Sequence, residues 1–220
     1  MENSKKTSVE TTLAEFCSPG VIPVIRAQRS DTLASVAEAL MEGGLNAIEI
    51  TMTTPGAIES IAECADKFKN SMLVGAGTVL DPGTAEKAIE AGASFIVSPS
   101  TDPDTIKLCK DMNTVVCPGA LTPTEVYGAW TAGADIVKIF PARPGGPLYF
   151  RDLKGPFPEI RIMPTGGVDL VSAPEFIKAG ACAVGVGGAL VHRDLINSGD
   201  FAGITRNARA FAQAVTEARE

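Results

Sequence analysis

Two charged residues stand inside apolar runs that a folded chain would otherwise bury whole. Glu49 interrupts Ala47-Ile48-Glu49-Ile50-Thr51-Met52, and Lys138 interrupts Ile136-Val137-Lys138-Ile139-Phe140. If each run is a β-strand, its side chains alternate between two faces. Ile48, Ile50 and Met52 then share one face and Glu49 takes the other, while Val137 and Ile139 leave Lys138 opposite them. The same alternation puts Arg26 on the face of Ile22 and Val24. A buried lysine and a buried carboxylate could be a plain ion pair. Such pairs seldom add net stability over apolar residues of the same shape, so their presence favours chemistry. A lysine walled by Val137, Ile139 and Phe140 is desolvated, which frees its lone pair to attack a carbonyl. The Schiff base so formed draws electrons from the adjacent carbon, and a C–C bond one carbon further out can break to leave an enamine. A nearby carboxylate moves the protons through a water, a role that fits Glu49.

The elements that must position this pair follow from periodicity. Eight short apolar runs, Val21 to Ala27, Ala47 to Met52, Leu73 to Val79, Phe95 to Ser100, Thr114 to Leu121, Ile136 to Ala142, Ile160 to Gly167 and Ala183 to Leu190, read as strands. Helical patterns lie between them: Asp31 to Glu42, Pro55 to Phe68, Thr84 to Ala91, Pro103 to Met112, Pro123 to Thr131 and Ala173 to Ala179, with Phe201 to Arg219 closing the chain. Asp31, Thr54, Asp81, Asp102 and Thr122 stand where helix caps belong, and Gly43, Gly92, Gly133 and Gly180 follow helix ends. Eight continuous apolar strands in units of about 24 residues, with no linker, predict one α/β domain over 1–220, a (β/α)₈ TIM barrel spanning about 21–195. A doubly wound sheet is the alternative, but no G-x-G-x-x-G opens its first helix. Residues 1–20 carry an extra helix, Thr7 to Cys17, read as a cap on the barrel bottom.

Glycine pairs end two of the later runs. Gly166 and Gly167 follow the seventh strand and Gly187 and Gly188 the eighth, where bare backbone N–H groups can hold a phosphate in the position barrels commonly use. Arg143, in Arg143-Pro144-Gly145-Gly146-Pro147, reads either as a further phosphate contact or as a solvated loop residue. The chain of 220 residues carries 26 acidic against 19 basic residues, a formal charge of −7 that is the wrong sign for a nucleic-acid binder. No apolar run approaches the roughly 20 residues of a membrane helix, which predicts a cytoplasmic protein with no membrane partner. Five cysteines without a Cys-x-x-Cys pair read as free thiols, and one histidine, His192, excludes a His-rich zinc site, so no metal and no cofactor is expected.

Taken together, Ile48-Glu49-Ile50-Thr51, Val74-Gly75-Ala76-Gly77-Thr78-Val79, Ser98-Pro99, Val137-Lys138-Ile139-Phe140-Pro141-Ala142 and Met163-Pro164-Thr165-Gly166-Gly167-Val168 resemble the 2-keto-3-deoxy-6-phosphogluconate (KDPG) and 4-hydroxy-2-oxoglutarate aldolases over roughly residues 20 to 195. The resemblance implies a metal-independent class I aldolase on a (β/α)₈ barrel. Such an enzyme, usually a homotrimer, cleaves a small-molecule substrate, a 2-keto-3-deoxy sugar acid expected here to be phosphorylated, to pyruvate and an aldehyde. It implies Lys138 as the Schiff-base lysine and Glu49 as general acid/base. Thr78 would hold the pyruvate carboxylate with Arg26, and Pro99 and Phe140 would shape the pocket. Thr165 resembles the gluconate-configured branch. Two positions depart from the family pattern: Thr53 stands where many members have Arg, and Ala189 where a Ser commonly follows the second Gly pair. Carboxylate anchoring then falls on Arg26 and Thr78. A 4-hydroxy-2-oxoglutarate or phosphogalactonate aldolase is the near alternative. Another phosphate-binding barrel enzyme would leave Lys138 unused, and a non-catalytic keto-acid or sugar-phosphate binder would tolerate loss of Lys138 or Glu49.

Overall fold

The computed structural model describes residues 8–220, and in them strand and helix alternate from end to end. The order is α1 (Val9–Cys17), β1 (Val21–Ile25), α2 (Leu33–Glu42), β2 (Ala47–Thr51), α3 (Ala57–Phe68), a 3₁₀ turn (Lys69–Ser71), β3 (Leu73–Gly77), α4 (Pro82–Glu90), β4 (Phe95–Val97), α5 (Pro103–Asp111), β5 (Val115–Cys117) and β6 (Gly119–Ala120). It continues with α6 (Pro123–Thr131), β7 (Val137–Ile139), α7 (Gly146–Lys154), β8 (Ile162–Pro164), α8 (Ser172–Lys178), β9 (Val184–Val186), α9 (Arg193–Ser198) and α10 (Phe201–Arg219).

All ladders are parallel and form two arcs, β5-β4-β3-β2-β1-β9 and β6-β7-β8. The fifth run carries both β5 and β6 because Pro118, between them, has no N–H to give the ladder. The two pieces make one barrel strand. One seam closes where Ile136 N–H donates to Val116 O at 3.4 Å, the other where Thr165 bridges Gly185. The ring is thus a (β/α)₈ barrel, and a doubly wound sheet, which keeps two free edges, is excluded.

Alternation along the strands sorts the core into two layers. Ile25, Ile48, Ile50, Val74, Ile96, Val116, Val137, Ile139 and Val184 pack outward against the helices. Ile22, Ala47, Leu73, Phe95, Val97, Cys117, Ile136 and Met163 fill the interior. Phe16 of α1 joins that interior cluster from below, edge-on to Phe95 with ring centroids 5.0 Å apart. The cap helix is therefore a plug, and Phe16→Ala would cost about 3–5 kcal/mol. It begins at Val9, with the Ser8 hydroxyl accepting from Thr11 N–H at 3.2 Å; Thr7 and the rest of 1–7 lie outside the described residues.

Several expected details are corrected. Asp81, Asp102 and Thr122 cap helices, the last in a capping box with Glu125. Asp31 instead pairs with Arg29, and α2 starts from Thr32 without a side-chain cap. Thr54 is not the cap of α3, which starts from Gly56; its hydroxyl accepts from Ala27 N–H at 3.2 Å. Gly92, Gly133 and Gly180 take left-handed backbones after their helices, whereas Gly43 stays right-handed with φ −82. Helices α7 and α9 add to those the sequence pattern predicts. Gly145, Gly146 and Pro147 read as loop, yet Pro147 sits in the first turn of α7, where its missing N–H is harmless, and Phe150 and Leu153 bury that helix.

Candidate active site

The strands run parallel, so their C-terminal ends share one mouth, and nearly every residue singled out above lies there. Arg26 directly follows β1, Thr78 follows β3, Pro99 lies just past β4, Phe140 follows β7, Thr165-Gly166-Gly167 follow β8, and Gly187-Gly188 follow β9. Glu49 and Lys138 sit deeper, in the middle of β2 and β7.

Both reactive side chains are interior, as alternation requires. Glu49 is 1% exposed and Lys138 5% exposed. Glu49 fits because Gly77, two residues along β3 from its register partner Gly75, leaves its carboxylate room. Neither carboxylate oxygen has a hydrogen-bond partner, so Glu49 and Lys138 do not close into the salt bridge that a purely structural pair would form. Burial pushes the Glu49 carboxyl above the ordinary carboxylate range, opposed by the positive charges of Lys138 and Arg26. A carboxyl held nearer neutrality in this way can give up and take back a proton.

The wall around Lys138 differs from expectation. Val137 and Ile139 point away into the helix-facing layer. Lys138 is flanked across its ladders by Gly119 and Met163, and its Nζ lies 5.1 Å from the centroid of the Phe140 ring. Phe140 is thus the aromatic wall, 39% exposed and leaning on the bare face of Gly166.

Around this pair, Thr78 holds φ +59, a left-handed conformation that a β-branched residue adopts at a cost of about 1–3 kcal/mol. Such strain at the mouth of a barrel marks a position fixed by more than local preference. Arg26 is exposed, and the neighbouring Ala27 is tied by Thr54 to the loop after β2. In that loop, Thr51 and Thr53 share a hydroxyl hydrogen bond of 2.9 Å. Pro99 is half-buried with its carbonyl against Gly119. Thr165 is buried, and its hydroxyl has no partner.

The two glycine pairs are not alike. Gly166 and Gly167 take φ +90 and +85, and a side chain on them would strike Phe140 and Arg143, so a tight turn already requires both. Gly187 and Gly188 take no left-handed backbone, and nothing lies within 4 Å of a Cβ on Gly188. Their bareness is therefore not explained by the turn. Arg143 is no free loop residue: its side chain covers Gly167, its N–H donates to Gly166 O at 3.0 Å, and its charge helps hold Asp169 below the usual carboxylate range, behind the hydrogen bonds from Ser172.

Sequence reasoning missed Gly77 as the residue that leaves Glu49 its space, although inward alternation of β2 and β3 is signal enough. A cavity of about 440 Å³ opens at the opposite end, lined by Thr12, Asn46, Ser94 and Asn113 among others, but it holds none of the reactive groups. Buried, unpaired chemistry locates the site better than the size of a hollow. Among the described residues, no three His, Cys, Asp or Glu side chains converge as a metal cluster would.

Known proteins are similar to this chain in sequence and fold. The KDPG and KHG aldolase family matches residues 14–207. A 2-dehydro-3-deoxy-phosphogluconate aldolase of Pseudomonas aeruginosa is 34% identical over 90% of each chain. A 2-dehydro-3-deoxy-6-phosphogalactonate aldolase of Escherichia coli is 32% identical over 90% of this chain and 95% of its own. The crystal structure of a KDPG aldolase from Legionella pneumophila, with pyruvate captured at low pH as a covalent carbinolamine, superposes with a TM-score of 0.85 at 30% identity, covering 91% of this chain and 97% of that one.

Proposed function

Because the chain belongs to the KDPG and KHG aldolase family, we propose that it is a class I aldolase cleaving KDPG to pyruvate and glyceraldehyde 3-phosphate through a Schiff base on Lys138. The observation that carries this reading is the interior pair of Lys138 and Glu49, whose carboxylate oxygens are buried yet unpartnered.

The Lys138 amine attacks the C2 carbonyl through its nitrogen lone pair, and the alkoxide takes a proton to give a carbinolamine. Loss of water leaves the protonated imine. Removal of the C4 hydroxyl proton breaks the C3–C4 bond, its electrons flow to the imine nitrogen, and the aldehyde departs. The enamine is then protonated at C3, and hydrolysis frees pyruvate and Lys138. Glu49 carries these protons, directly or through a water. Arg26 and Thr78 hold the carboxylate, and Pro99 and Phe140 form the walls. Thr165 meets the sugar hydroxyls, and the amides of Gly166, Gly167, Gly187 and Gly188 receive the phosphate. No cofactor or metal enters the reaction.

Thr165 favours the gluconate over the galactonate configuration. By family resemblance we assign a homotrimer working in the cytoplasm; no helix among the described residues is long and apolar enough to cross a membrane. Pyruvate release measured in parallel from KDPG, its galactonate epimer and 4-hydroxy-2-oxoglutarate tests the substrate. The highest kcat/KM is expected for KDPG. A higher value for either alternative reassigns the aldehyde half, and no release from any of the three would leave a keto-acid binder.

A further inference from the structure

At the end of the barrel away from the site, one arginine draws together the backbones of two cysteines from opposite ends of the chain. Cys17 closes α1 and Cys182 precedes β9. Nη2 of Arg219, near the end of α10, donates to Cys17 O at 2.7 Å and to Cys182 O at 2.8 Å, while Nη1 donates to Ser18 O at 2.6 Å. One guanidinium therefore holds both backbones in register. Both side chains are half-buried and pack on the same interior cluster, and Cys182 Sγ lies 3.4 Å from Ile162 O.

The two thiols are also unlike in character. The Cys182 thiol beside it holds Cys17 below the ordinary thiol range, opposed by burial and aided by the Arg161 and Arg219 charges. The same contact, together with burial, pushes Cys182 up. Burial pushes Cys64 up to about 11 and Cys109 up to about 12, and raises Cys117 well above the ordinary thiol range. A thiol inclined to ionise beside one that stays protonated is the pairing of an attacking and a resolving cysteine.

We propose that Cys17 and Cys182 form an oxidant-reactive dithiol, closed to a disulfide by hydroperoxides, that fastens the plug helix α1 to the strand-start end of β9. The Cys17 thiolate attacks the peroxide, and the O–O bond breaks. Sulfur is oxidised to sulfenic acid, and the leaving oxygen takes a proton and departs as water or an alcohol. The Cys182 thiol then displaces the sulfenic oxygen, which leaves as a second water, and the S–S bond forms. None of these steps uses Lys138 or Glu49, so the proposal stands apart from the aldolase reading.

Its test is peptide mapping of the full chain after a modest excess of hydrogen peroxide, without reductant. Free thiols should fall from five to three, with a single Cys17–Cys182 cross-link that dithiothreitol reverses. In Cys182→Ala, dimedone should label Cys17, whereas Cys182 in Cys17→Ala should stay largely unlabelled. Persistence of all five thiols, a cross-link through Cys64, Cys109 or Cys117, or equal labelling in the two variants would overturn it.

Discussion

A Cβ built on Gly77 would fall 2.0 Å from Oε1 of Glu49, so the glycine of β3 and the carboxylate of β2 occupy one space. Gly77 does not have the left-handed backbone that would itself demand glycine. Gly77→Ala should therefore fold while moving Glu49 off its position. Displacements of about 1 Å in an active site can lower rates by 10²-fold. Exchange of the pyruvate methyl protons, followed by NMR, should fall by about that factor, with capture of pyruvate by Lys138 persisting. Exchange at the native rate would mean that Glu49 has slack or is not the proton carrier.

The raised carboxyl of Glu49 makes a pH-dependent stability prediction. Its folded value lies above the ordinary 4.5, so its contribution is full below that pH and is lost as pH rises through the folded value. Glu49→Gln cannot ionise and escapes the loss. Its melting temperature, compared with that of the native protein, should gain as pH rises above about 4.5 and level off once pH has passed the folded value. A native protein favoured more at high pH would mean that Lys138 and Arg26 hold Glu49 fully ionised.

Thr165 buries a hydroxyl without a partner, which destabilises unless a substrate uses it. Thr165→Val keeps the shape and removes the orphan group. The melting temperature should hold or rise, and the kcat/KM ratio of KDPG to its galactonate epimer should drop roughly three- to tenfold, the worth of one neutral hydrogen bond. An unchanged ratio would detach Thr165 from sugar recognition.

Ala189 is exposed beside the open face of Gly188. A serine there would reach an anion on the Gly187-Gly188 amides, and Ala189→Ser should raise kcat/KM for KDPG by up to about tenfold without affecting 4-hydroxy-2-oxoglutarate. Equal effects on both substrates would place the phosphate elsewhere.

Much of this architecture is legible in the residues. Period-two alternation suffices to turn Glu49 and Lys138 inward, and the Asp81, Asp102 and Thr122 caps mark three helix starts. The rest fails for identifiable reasons. Helix α7 is hidden because Gly145, Gly146 and Pro147 carry loop propensity, while the packing of Phe150 and Leu153 that overrides it is tertiary. Thr54 looks like a cap because its type fits, but its hydroxyl serves Ala27 on another strand's loop. The contrast between the two glycine pairs depends on φ and on neighbouring side chains, neither of which a dipeptide reveals.

Borohydride reduction in the presence of isotopically labelled pyruvate, followed by peptide mapping, reads out the Schiff base itself, because only an imine is fixed by reduction. Label should appear on one lysine, Lys138. It should persist in Glu49→Gln, where methyl-proton exchange falls by about 10²- to 10⁴-fold, and vanish in Lys138→Ala. Label on another lysine, or no label on a protein that still releases pyruvate, would contradict a Schiff base at Lys138.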